Sequence, residues 1–245
     1  MKESAPIIQF EGVSKCHAQG AQAVWAVRNV SLVVRAGEFV SITGPSGSGK
    51  TTLLNLAAGL DVPTQGEVLV EGRSVRAMSS SQLARMRRET IAFIFQFFNL
   101  LTCLTAEQNV AVPLRASGMS RGEVARRVRT ALEVVGMSHR ARHHPEELSG
   151  GELQRVAIAR AFATDARVLL ADEPTGNLDS LRGEDVLELL KQACERQGRS
   201  VLLVTHDLRA GAYGDRMLTL RDGEIVDEVE GASAGGQVIH LRRRQ

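Results

Sequence analysis

Gly44-Pro45-Ser46-Gly47-Ser48-Gly49-Lys50-Thr51 is the stretch whose reading decides the fold. It fits G-x-x-x-x-G-K-[ST], a loop that binds phosphate when it joins a strand to a helix. Upstream, Phe39 to Thr43 reads as a buried strand; downstream, Thr51 to Ala58 reads as a helix that stops at Gly59. In that setting the glycines let the backbone curl until successive N–H groups point inward, and the helix N-terminus adds roughly half a positive charge. Gly44, Pro45, Ser46, Gly47, Ser48 and Gly49 form the cradle, and Lys50 supplies a charge for the β and γ phosphates. The Thr51 hydroxyl is placed for a bridging magnesium and Thr52 for the α-phosphate. A glycine-rich turn with a solvated lysine is the competing reading, and the strand and helix on either side count against it.

The chain has 245 residues, 43% hydrophobic and 24% charged, enough for one large domain or two subdomains. A formal charge of +2 gives no bulk attraction to nucleic acid. Cys16, Cys103 and Cys194 are odd in number and widely spaced. They fit neither a disulfide framework nor a zinc site and suit a reducing cytoplasm. Met1 to Pro6 leads into a strand-like segment with no apolar signal core, and no apolar run approaches the ~18 residues of a membrane span. The expectation is a chain neither secreted nor membrane-spanning.

In order along the chain, Ile7 to Val13 and Val24 to Val34 read as strands of a small sheet, with Cys16 to Gln22 as a loop between them. Gly66 to Gly72 is a further strand, Ser80 to Glu89 a polar helix, and Ile91 to Phe95 a buried strand that delivers Gln96 at its end. Phe97 to Leu104 is the most apolar stretch of the chain. Thr105 and Gln108 form a capping box that starts a helix through Val112, and Ser120 starts a second with Val124, Val128, Ala131, Leu132 and Val135 on one face. Ser149 and Glu152 form another capping box with Gly150 and Gly151 inside it, a bare helix N-terminus where a second anion could sit; an ordinary capped helix is the alternative.

Val168 to Ala171 is a fully apolar strand that ends in Asp172-Glu173. Adjacent carboxylates at a strand's C-terminal end point opposite ways, so one can face a metal and the other a water; plain surface charge is the alternative. Ser200 to Thr205 is another buried strand, ending in His206, and Asp222-Gly223 is a hairpin turn. From Gly231 the composition turns small and polar and closes on Arg242-Arg243-Arg244, which reads as a mobile tail.

Taken together and in this order, the motifs resemble those of the ATP-binding subunits of ABC transporters, over about Ile7 to Val229. Gly44 to Thr51 corresponds to Walker A, Gln96 to the Q-loop, Leu148 to Glu152 to the signature, and Val168 to Asp172 to Walker B. Glu173 corresponds to the catalytic glutamate, Asn177-Leu178-Asp179 to the D-loop, and His206 to the switch histidine. The resemblance implies an α/β fold: a P-loop NTPase core with an antiparallel β subdomain and an inserted α-helical signature subdomain. It implies one domain over 1–230, with 1–96 and 166–230 as nucleotide core plus β subdomain and 97–165 as the helical part, before a flexible basic tail over 231–245.

ATP and Mg2+ are the cofactors so implied, with Thr51, Gln96 and Asp172 near the metal, Glu173 polarising the attacking water, and His206 on the γ-phosphate. The family's geometry implies a head-to-tail homodimer in which Ser149, Gly150 and Gly151 of one copy close over the ATP held by the other. Two departures stand out. His17 occupies the place of the aromatic residue, usually Tyr, that stacks on adenine, with Trp25 as a second candidate, and the signature ends in Glu152 where Gln is commoner.

Gly59-Leu60-Asp61, Phe95 to Leu101 and Ala171 to Asp179 resemble the branch that serves lipoprotein release, macrolide efflux and antimicrobial-peptide resistance, and that includes a cell-division ATPase. That branch implies a transmembrane permease partner, docked near Phe97 to Leu104, and a peripheral position on the cytoplasmic face of the membrane. Buried core is the alternative for the patch. A regulator that moves no substrate, and a soluble ATPase acting on nucleic acid, are the competing functions. The second lacks the coiled-coil insertion or the paired cassettes it would need.

Overall fold

The computed structural model describes residues 4–19, 22–231 and 239–240. Two long strands open the chain, β1 (Pro6–Gln19) and β2 (Gln22–Arg35), paired antiparallel down to Gln19 opposite Gln22. The loop expected over Cys16 to Gln22 is therefore mostly strand, with Cys16 opposite Trp25 and His17 opposite Val24. Sequence alternation fails here because the main-chain ladder of the hairpin, and not burial, holds these exposed positions extended.

Next come β3 (Phe39–Thr43), α1 (Lys50–Ala57), β4 (Gln65–Val70), β5 (Arg73–Ser74), α2 (Ser80–Glu89) and β6 (Ile91–Ile94). Three helices follow, α3 (Ala106–Ala116), α4 (Arg121–Val134) and α5 (Gly150–Phe162). The chain then returns through β7 (Val168–Asp172), α6 (Ser180–Gln197), β8 (Ser200–Thr205), α7 (Leu208–Gly211), β9 (Arg216–Arg221), β10 (Glu224–Glu230) and β11 (Ile239–His240). Strands β2-β1-β4-β5 make an antiparallel sheet, and β11-β10-β9-β3-β8-β7-β6 make a second whose β9, β3, β8, β7 and β6 run parallel. The tail expected over 231–245 lies largely outside the described residues, Arg242 to Arg244 included; within it, Ile239–His240 pairs with β10.

Period-two alternation on the parallel strands splits the core into two layers. Ala92, Ile94, Leu169, Ala171, Val201 and Leu203 face the layer that contains α3, α4 and α5. Their neighbours Ile91, Val168, Leu170, Leu202 and Val204 face the layer shared with α1 and the antiparallel sheet. A strand buried on both faces reads as an unbroken apolar run, which is why β7 and β8 are evident in the sequence. The connection from β3 to its parallel neighbours reverses direction, since β8 lies on one side of β3 and β9 on the other. In open α/β sheets the ligand crevice lies outside the carboxyl ends of the strands at such a switch.

One helix runs further than its sequence suggests. The helix expected to end at Val112 continues as α3 to Ala116, through Pro113. Burial of Val110, Ala111 and Leu114 on its inner face outweighs the missing proline N–H, and the Pro113 carbonyl is taken by both the N–H and the hydroxyl of Ser117. The boxes at Thr105 and Ser149 form reciprocally, whereas Ser120 caps its helix alone while Glu123 turns to Arg126 and Arg127. Leu170 is fully buried on β7, between β8 and β6. Leu170→Ala should therefore cost about 2–5 kcal/mol, read as a lowered urea midpoint with an unchanged slope.

Candidate functional site

The loop between β3 and α1 is locked by close backbone approach. A Cβ on Gly44 would sit 2.1 Å from the Leu220 carbonyl oxygen, and one on Gly49 would sit 2.1 Å from that of Ala26. Gly49 caps α1 with φ 104, a backbone that only glycine adopts without strain. The loop is thus pressed against β9 and β2, and its amides are fixed in direction before any ligand arrives. Lys50 is 6% exposed and donates to the Gly44 and Pro45 carbonyls at 2.8 and 2.9 Å. Burial holds its ammonium below the ordinary lysine range, against the opposing pull of Glu173 and Asp172.

Three further strand ends converge on this loop. From β7, Asp172 accepts a hydrogen bond from the Thr51 hydroxyl at 3.2 Å. Burial raises its carboxyl above the usual aspartate range and Glu173 adds to the rise, while the Thr51 bond and Lys50 oppose it. The strand ends there, and Glu173 takes a left-handed backbone, φ 44. That twist changes the geometry expected of two adjacent strand residues: Glu173 also turns towards the loop, with Oε1 4.0 Å from Lys50 Nζ. Glu173 Oε2 accepts from the Thr205 hydroxyl at 3.0 Å and the His206 N–H at 3.2 Å, and lies 2.9 Å from His206 Nδ1. An ionised carboxylate only accepts, so the Nδ1 carries the proton and Nε2 is left for an outside partner.

From β6, Gln96 lies beside the turn that follows β7: its carbonyl accepts from Asn177 Nδ2 at 2.8 Å, and its amide nitrogen would be 3.6 Å from a Cβ on Gly176. Lys50, Thr51, Asp172, Glu173 and His206 are accordingly brought together, with Gln96 alongside. Thr52 sits on the first turn of α1. His17 and Trp25 stand on the exposed part of the β1–β2 hairpin. Ser149, Gly150 and Gly151 are not brought to the loop. Ser149 is occupied by its capping box with Glu152; Gly150 is exposed, with Asn177 and Phe98 nearest to it, and Gly151 is buried beside Arg182. Glu152 is held below the usual carboxylate range, chiefly by the Ser149 N–H and then by the Ser149 hydroxyl and Arg140.

Sequence reasoning missed two contributors. Thr205 had no signal beyond its place at a strand end, although its hydroxyl orients Glu173. Arg160 stands between the apolar run Val156-Ala157-Ile158-Ala159 and Ala161-Phe162, where a charge needs a reason. A cavity of about 950 Å³ lies elsewhere, between α3 and α4, with Arg115, Arg121, Arg129 and Arg142 among its lining.

The donor set fits a magnesium-bound nucleoside triphosphate. Ser48 Oγ is buried in the loop without a partner, the mark of a hydroxyl kept for a ligand. Thr51 and Asp172 offer hard oxygen donors. Magnesium is usually held by one or two protein oxygens together with waters and substrate phosphates, which is the kind of donor set offered here. A parallel sheet with this loop at its switch and paired carboxylates at the end of the next strand but one, β7, defines a P-loop NTPase.

A sequence profile described as ABC transporter matches residues 27–176. The uncharacterized ABC transporter ATP-binding protein MJ0796 of Methanocaldococcus jannaschii is 44% identical over 226 residues, 91% of this chain and 96% of that protein. The macrolide export ATP-binding/permease protein MacB of Brucella melitensis is 43% identical over 224 residues, but the chain spans only 34% of its length. A solved dimer of the MJ0796 cassette in a post-hydrolysis state, bound to ADP and Pi, superposes with a TM-score of 0.87 at 42% identity, covering 91% of this chain and 98% of that one. The chain belongs to the ABC transporter family of ATP-binding cassettes: it binds ATP with magnesium and hydrolyses it to ADP and phosphate.

Because the fold holds the Asp172 charge against its burial, Asp172 favours the protonated form more in the folded chain than in the unfolded one. The folded state then binds the extra proton, and stability falls as pH rises from the ordinary aspartate value through the raised one. Above the raised value the cost is fully present. Asp172→Asn should raise the Tm of the nucleotide-free protein, with about 2–4 °C expected per kcal/mol recovered, while abolishing magnesium-dependent turnover. A lowered Tm measured in EDTA would contradict it.

Proposed function

We propose that the chain is the ATP-driven motor of a membrane complex, working as two copies that shut head to tail on two ATP molecules and reopen after hydrolysis. One observation carries this reading: within a single chain the signature residues Ser149 to Gly151 lie beside Asn177, Phe98 and Arg182 and not beside the phosphate loop. A second anion-binding helix end with no anion of its own is completed by another copy. The relatives support the same arrangement, since the MJ0796 cassette was solved as a dimer and MacB is named as an ATP-binding/permease protein.

In this reading residues 1–230 act as one cassette, with the helices between 97 and 165 as its moving part. Lys50 exchanges its two carbonyl partners for β and γ phosphate oxygens. Thr51 and Asp172 hold the magnesium, which when bound neutralises charge on those phosphates, and Gln96 approaches from the side. Glu173, oriented by Thr205 and His206, accepts hydrogen from the attacking water, and Nε2 of His206 faces the γ-phosphate. His17 offers an exposed ring for the base, with less area than a tyrosine.

No helix among the described residues is long and apolar enough to cross a membrane. The cassette docks peripherally on its permease, on the cytoplasmic face, a reading supported by the relative named as an ATP-binding/permease protein. Phe97 is 76% exposed and Leu101 50%, whereas Leu100 packs against the core and Phe98 is half-buried. Two large apolar side chains exposed within five residues favour Phe97 and Leu101 as docking residues.

Glu173→Gln should retain ATP binding, trap the dimer on a sizing column, and lose about 10²–10⁴-fold in turnover. Full-speed hydrolysis by that variant would remove Glu173 from the mechanism. Leu101→Asp should weaken co-purification with the permease and leave basal ATPase within about twofold, as expected of a surface substitution away from the chemistry.

A further inference from the structure

Phe98 and Asn99 form an unusual pair. Both have left-handed backbones, φ 54 and 50, a region costly for a residue such as phenylalanine, and two in succession need external support. That support is Arg160. From the last turn of α5 its guanidinium donates to the Phe98 carbonyl at 2.9 Å and to the Asn99 carbonyl at 2.5 Å. Among the described residues no carboxylate pairs with it, so the two carbonyls satisfy a charge that burial disfavours.

The other end of the same helix carries the signature. A Cβ on Gly150 would meet the Phe98 ring at 4.0 Å and the Asn177 carbonyl at 3.8 Å, and Asn177 in turn donates to the Gln96 carbonyl. The segment from Gln96 to Asn99 is therefore held at Gln96 by Asn177 and at Phe98 and Asn99 by Arg160, with the Phe98 ring against the helix start. Gln96 and the start of α5 are thus joined by a short chain of contacts through Asn177, Phe98 and Arg160.

We propose that Arg160 is a positioning residue that couples the two ATP sites of the dimer. Movement of Gln96 onto its own magnesium and γ-phosphate drags Phe98 and Asn99, and through Arg160 turns α5 so that Ser149 to Gly151 seat on the ATP of the other copy. Loading of one site thereby prepares the second. The inference rests on the head-to-tail reading above. Arg160 touches neither nucleotide, so its loss leaves the single-chain cradle intact. A lysine in its place offers a compact point charge without the planar fork that spans two carbonyls.

The test compares wild type with Arg160→Gln and Arg160→Lys. In the Arg160→Gln variant, binding of a fluorescent ATP analogue to the single chain should stay within about twofold, while kcat falls roughly tenfold or more, the scale expected when catalytic groups are misplaced by an ångström. The Hill coefficient for ATP should fall towards 1, and Arg160→Lys should lie between. An unchanged kcat and Hill coefficient overturn the proposal. So does a parallel loss of single-chain ATP affinity and Tm, which would make Arg160 a structural residue only.

Should Arg160→Gln not fold, hydrogen exchange on the Glu173→Gln protein decides. Amides of 97–100 and 150–154 must gain protection with one common Mg·ATP midpoint, and two separate midpoints refute the coupling. If Glu173→Gln binds ATP yet stays a monomer, the dimer reading fails and takes the coupling with it. If it dimerises and the Arg160 variants behave as wild type, only the coupling fails.

Discussion

The structure depends on how tightly the phosphate loop is pressed against its neighbours. At Gly44 and Gly49 there is no room for a methyl group beside the carbonyls of Leu220 and Ala26. This contact is made by two different parts of the chain, β9 and β2, and it fixes the direction of the loop amides relative to both sheets. Every other functional group is placed relative to that loop by a strand end: Asp172 by β7, Thr205 and His206 by β8, Gln96 by β6. Since those strands are parallel neighbours in one sheet, their C-terminal ends fall in a row on the same side. Preorganised amides and a buried lysine then need no rearrangement of the sheet to receive a phosphate chain.

The two-layer core sets which parts move together. One layer ties the sheet to α1 and the antiparallel strands, and the other ties it to α3, α4 and α5. The polar contacts across the second layer are few and specific. Arg199, from the turn before β8, donates to the carbonyls of Ala161, Phe162 and Thr164 at the end of α5, and its guanidinium lies over the Phe162 ring. The signature helix is thus pinned at its C-terminus, where Arg160 also ties it to the segment that follows the edge strand β6. A helix pinned at its far end swings at its near end, which is where the bare glycines lie.

Much of this was legible beforehand, for reasons that differ by element. β3, β7 and β8 are buried on both faces, and burial writes itself as unbroken apolar runs. The loop and its helix follow a spacing that backbone geometry dictates, and the Ser149–Glu152 box announces α5. The far end of the hairpin, β1 past Val13 and β2 before Val24, was not legible, because exposed strand residues such as His17 are held by cross-strand pairing that no local pattern records. Pro113 misled in the same way: propensity argued for a helix end and packing overrode it. At the site, Asp172 and Glu173 stood out by position. The contacts that orient them, from Thr51 and Thr205, join residues 121 and 32 apart in sequence, and only the fold brings them together.

The left-handed turn at Glu173 carries one more implication. A glycine would occupy that backbone with less strain, and yet a carboxylate stands there, kept in place by Val204 through the main chain and by Thr205 and His206 through its oxygens. The position is therefore a point where ease of folding and chemistry pull in opposite directions. Drift towards a more comfortable chain would erase the water-activating group first, so a sturdier but silent cassette is the form into which this molecule most readily decays.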